Sequence, residues 1–82
     1  MNKADLYKTP GDQERLVIGT TASGDIAFAT RGGNATSDYN HCQIQPPTTF
    51  SSEATFVRTV PVAEIARVEE KFANYISANS IK

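Results

Sequence analysis

Two residue types on which much protein chemistry depends are nearly missing: the 82 residues include one cysteine and one histidine. One cysteine excludes an internal disulfide framework and any zinc site built on several thiolates. An excess of one charge is missing too. Eight Lys and Arg stand against nine Asp and Glu, a formal net charge of -1. That balance lacks the broad basic field of a non-specific nucleic-acid binder. No apolar run approaches the roughly 20 residues of a membrane span. Residues 1–7 lack the apolar stretch of a secretory signal. These absences lead us to expect a cytoplasmic protein with no membrane segment. The length fits a single small domain over 1–82, whose core is marginal because so short a chain keeps much of its surface in water.

The remaining pattern predicts an α+β fold. Its sheet is antiparallel with three to four strands, a meander starting with a hairpin, and one C-terminal amphipathic helix packs on one face. Residues 1–14 read as a loosely ordered N-terminal arm, with Leu6 and Tyr7 its large apolar residues and a turn signal over 8–12. Residues 15–60 hold the sheet. In 15–21 and 26–30 apolar residues alternate, and Gly24 in the turn between them suits a positive φ. The glycine-rich stretch 31–40 keeps no apolar period and reads as a surface loop. His41 to Gln45 is a short strand that Pro46 and Pro47 end. Residues 48–52 read as a loop around Phe50, and 53–59 as a last strand with Phe56 and Val57 facing opposite ways.

The helix over 61–79 has Pro61 at its start, where a missing N–H costs nothing. Ile65, Val68, Phe72, Tyr75 and Ile76 form its apolar stripe, extended by Val62, with Glu64, Arg67, Glu70, Lys71 and Asn74 opposite. Ile81 and Lys82 trail. The expected core is Leu16, Ile18, Ile26, Phe28, Cys42, Ile44, Phe56 or Val57, Val60, Ile65, Val68, Phe72 and Ile76. One helix covers one sheet face, so the other, lined by Val17, Ala27 and Ala29, is expected to be open. An uncovered apolar face invites association, hence an expected homodimer or protein partner.

Chemistry has few places to sit. His41 and Cys42 are sequence neighbours, but on a strand they point to opposite faces and cannot form a dyad. Cys42 then reads as a small core residue and His41 as surface. The carboxylates form no acid/base pair in a shared apolar pocket, and no metal or cofactor is expected. Asn34, Ala35 and Thr36 match the glycosylation pattern, which has no force without a secretory route. Arg31, Gly32, Gly33 and Asn34 are more suggestive. Two glycines let backbone N–H groups form an anion-binding nest, Arg31 supplies a planar bidentate donor, and Tyr39 offers a ring for stacking. Arg15 and Arg58 on neighbouring strands, with Arg31 near, would make a basic patch on the exposed face. The expected function is non-enzymatic: a small binding protein acting through protein–protein contact, as an inhibitor, adaptor or assembly factor of the kind phages and other mobile elements encode. The alternative is a nucleotide- or anion-binding protein using the Arg31 to Asn34 loop at a dimer seam. Direct nucleic-acid binding is disfavoured.

Overall fold

Apolar alternation becomes a hairpin at the centre of the sheet. In the computed structural model, which describes residues 1–32 and 38–82, β2 spans Glu14–Thr20 and β3 spans Ile26–Arg31. The turn between them is closed by Thr21 and Asp25, whose backbones bond at 3.0 Å. Gly24 sits there at φ 85°, the conformation that glycine adopts without steric cost.

Directly paired residues share a face, and the register corrects the expected division of the core. Leu16 pairs with Ala29 and Val17 with Phe28. Ala27 and Ala29 therefore join Leu16 and Ile18 in one apolar cluster, while Ile26 and Phe28 join Val17 in the other. Alternation within each strand was readable; the register between strands decides which two rows meet. Ile18 is the extra residue of a bulge, since the pairing passes from Val17–Phe28 to Gly19–Ala27.

The expected loose arm is a strand. β1, Asp5–Lys8, lies inside the sheet, whose order is β4 (His41–Gln45), β3, β2, β1, β5 (Thr55–Thr59). Both its apolar residues are used, one on each face. Leu6 joins the Leu16 cluster, and the Tyr7 ring meets Phe50 edge-on at 4.9 Å and Phe56 at 5.7 Å. The predicted turn after it is present, with the Thr9 amide on the Gln13 carbonyl at 2.9 Å.

β4 spans His41–Gln45 and is antiparallel to β3. The predicted loop after it is a helix, α1, Pro47–Glu53. The Pro46–Pro47 pair ends a strand and also starts this helix, because proline is pre-organised for a first turn. α1 carries the chain from the β4 edge to the opposite edge, where β5, Thr55–Thr59, pairs with β1. Phe50 is fully buried and meets Phe28 at 5.0 Å. The sheet face expected to be open is thus covered by α1, and it is lined by Val17, Ile26 and Phe28 rather than by alanines. Phe56 and Val57, of which one was expected in the core, are both about half exposed on the edge strand β5.

On the other face the predicted single helix is two. α2 spans Val62–Lys71 and α3 spans Ala73–Ala78. They divide at Phe72, whose φ of −108° and ψ of 26° leave the helical region. Val60, Ile65 and Val68 are buried against the sheet, whereas Val62 lies off the stripe and is 83% exposed. The expected trailing end is docked: Ile81 is buried, and Thr20 and Lys82 exchange two backbone hydrogen bonds of 2.9 Å. That contact needs Gly19, at φ 144°, where an added Cβ would stand 2.6 Å from the Lys82 oxygen.

Candidate functional site

The end of β3 and the start of α2 leave a cleft of about 380 Å³ between them. Arg31, Asp38 and Tyr39 line one side; Pro61, Glu64 and Arg67 line the other. Two of the residues singled out in the sequence, Arg31 and Tyr39, therefore meet at one place. The guanidinium of Arg31 lies over the Tyr39 ring, 4.3 Å from its centre, a stacking geometry favourable to both groups.

Arg31 is already engaged. Its Nε and a terminal nitrogen donate to the Glu14 carboxylate at 2.8 and 2.7 Å, which the direct Glu14–Arg31 pairing across β2 and β3 brings about. Asp38 and Arg67 stand 3.4 Å apart in the solvent-exposed mouth, and Arg58 on β5 stands 4.0 Å from Glu64. Each of the three arginines around the cleft faces an acid. Each positive charge is therefore partly offset by a carboxylate, which weakens its pull on a lone anion.

Tyr39 lies beneath this charged rim and is only 4% exposed. Its phenol oxygen is buried with no hydrogen-bond partner among the described residues. Burial pushes the phenol up to about 12, against the pull of Arg31, because ionisation would place a negative charge in an apolar setting. Lys71 on α2 donates to the Tyr39 carbonyl oxygen, which fixes the backbone of this segment to the helix.

The other sequence candidates are placed elsewhere. Gly32 is exposed, and among the described residues no atom beyond its chain neighbours lies within 4 Å of where a Cβ would stand. Gly33 and Asn34 lie outside the described residues, so the expected nest does too. The expected basic patch of Arg15, Arg31 and Arg58 does not form. Arg15 shares the opposite sheet face with Phe28 and lies over that ring at 4.9 Å. It is nearly buried and bonds to Gln13 at 2.8 Å, Gln45 at 3.2 Å and Glu53 at 3.0 Å. Hydrogen bonds from Gln45 and Arg15 hold the Glu53 carboxyl below the usual range. The sequence reading put Arg15 and Arg58 on adjacent strands, but β1 lies between them.

Cys42 packs against the Leu16 cluster while His41 is exposed. Burial raises the Cys42 thiol to about 11, which keeps it protonated near neutrality. Among the described residues, no three His, Cys, Asp or Glu side chains gather as a metal group would require. The acids that neutralise the cleft, Glu14, Asp38 and Glu64, were missed as site residues. Glu64 and Arg67 did carry a signal, being three apart on one helix face.

No family model, curated protein or solved structure matches this chain.

Proposed function

We propose that this is a small non-enzymatic binding protein that works by contact with another protein, as an inhibitor, adaptor or assembly factor. One observation carries the reading. A single stretch of chain, from β5 into the first residue of α2, leaves Phe56, Val57 and Val62 exposed, at 51%, 49% and 83%. Large apolar side chains left exposed along one short stretch of chain favour contact with a partner surface. The balanced charges of the neighbouring cleft agree with it, since paired arginines and acids suit the polar rim of a protein interface better than the capture of a bare anion.

Affinity capture with Val57→Asp/Val62→Asp against the parent chain tests this. A defined protein retained by the parent and lost from the variant, with the melting temperature unchanged, supports the reading. Capture that is indifferent to both substitutions overturns it. The alternative, a nucleotide or other anion, draws its support from Arg31 stacked on Tyr39 beside the cleft. A nucleotide-induced rise in melting temperature that disappears in Arg31→Ala would select the alternative.

A further inference from the structure

The sheet has two outer edges, and they are finished differently. β5 has an irregular register, with Val57 skipped between the pairs Leu6–Arg58 and Tyr7–Phe56. A bulge and a charged residue are devices that spoil pairing with another strand. β4 has neither. Its pairing with β3 is unbroken from His41 to Gln45, and its five residues include no Lys, Arg, Asp, Glu or Pro. Among the described residues, no backbone hydrogen bond runs outward from it. The apolar cluster under α2 is also unfinished on this flank. Cys42, Ile44, Phe72, Tyr75 and Ile76 pack against it but stay only partly buried, and α3 has no buried residue.

We propose that β4 pairs antiparallel with β4 of a second copy, about a two-fold axis at Gln43, so that two five-stranded sheets become one. The sequence of the strand is self-complementary in that register. Cys42 falls opposite the second copy's Ile44, and Ile44 opposite its Cys42, both on the face that α2 and α3 cover. On the other face Gln43 meets its own counterpart, and His41 meets Gln45. Apolar faces apolar, amide faces amide, and no like charges oppose each other. Gln45 donates to the Glu53 carboxylate at 3.1 Å, so the second copy's His41 arrives beside an acid, and symmetry repeats the contact. A slip of one residue would set the apolar pair against polar partners.

Sedimentation velocity of the full chain across a wide concentration range reads the association. Gln43 is exposed on the strand, so Gln43→Lys and Gln43→Glu leave the fold intact, as far-UV circular dichroism will check. Each puts like charges face to face across the axis and should weaken the dimer roughly fivefold. An equimolar mixture of the two should recover it as a heterodimer. A monomer at every concentration overturns the proposal. So does a dimer that neither variant weakens, since that places the contact elsewhere. The edge concerned is not the one that carries Phe56 and Val57, so the partner-capture experiment and this one can fail separately.

Discussion

Tyr39 is a buried phenol whose hydroxyl finds no hydrogen-bond partner among the described residues. Burying a hydroxyl without a partner costs about 1–3 kcal/mol. Tyr39→Phe removes that group and keeps the ring under Arg31, so it should raise stability by about 1 kcal/mol in urea titrations. The same substitution has a pH signature. The folded phenol titrates near 12, above its ordinary value of 10. The unfolded chain therefore releases this proton first, so the contribution of this phenol is intact below about pH 10 and is lost as pH rises toward 12. The decline amounts to on the order of 3 kcal/mol. The gap between Tyr39→Phe and the parent should widen on going from about pH 8 to about pH 11. Cys42, also raised, titrates in both proteins and cancels from the comparison. A constant gap would show that the phenol is not the group responsible.

At the scale of elements, α1 is the piece most dependent on one side chain. Seven residues are too few to hold a helix in water, and Phe50 is its only buried residue. Phe50→Ala should cost about 3–5 kcal/mol and lower the melting temperature by more than about 12 °C. It should also loosen Tyr7 and Phe28, whose rings meet Phe50 edge-on. What the sequence made legible follows the same division. The β2–β3 hairpin and the apolar stripe of α2 were readable because each repeats its own local period. β1 was not, because four residues with two apolar ones form a strand only when β2 and β5 hold both edges. α1 was hidden by a proline pair that has two meanings, a strand stop and a helix start. The site was half legible for a related reason. Arg31 and Tyr39 belong to one stretch and were found together. The faces of Arg15 and Arg58, and the acids opposite Arg31 and Arg67, depend on strand register and helix placement.

For the whole molecule, the two faces of the sheet are covered by different parts of the chain: α1 on one, α2 and α3 on the other. The strands nearest the middle gain most from this. β2 is buried along nearly its whole length, while every residue of the edge strand β5 is exposed. β5 also reaches β1 across some fifty residues of sequence, a contact whose loop closure is entropically expensive. Amide hydrogen exchange should therefore show its strongest protection in β2 and β3 and its weakest, among the strands, in β5. Equal protection of β5 and β2 would contradict this ordering.

The contact between Gly19 and Lys82 has a consequence for ancestry. Position 19 tolerates no side chain while residues 81 and 82 lie against it, and those residues have no docking place if position 19 gains one. The two sides of this contact, some sixty residues apart, are under a single constraint. In any set of descendants from a common ancestor they should be kept together or lost together. A glycine at 19 would then testify to a docked segment like that at 81–82, even in a sequence too diverged to align elsewhere.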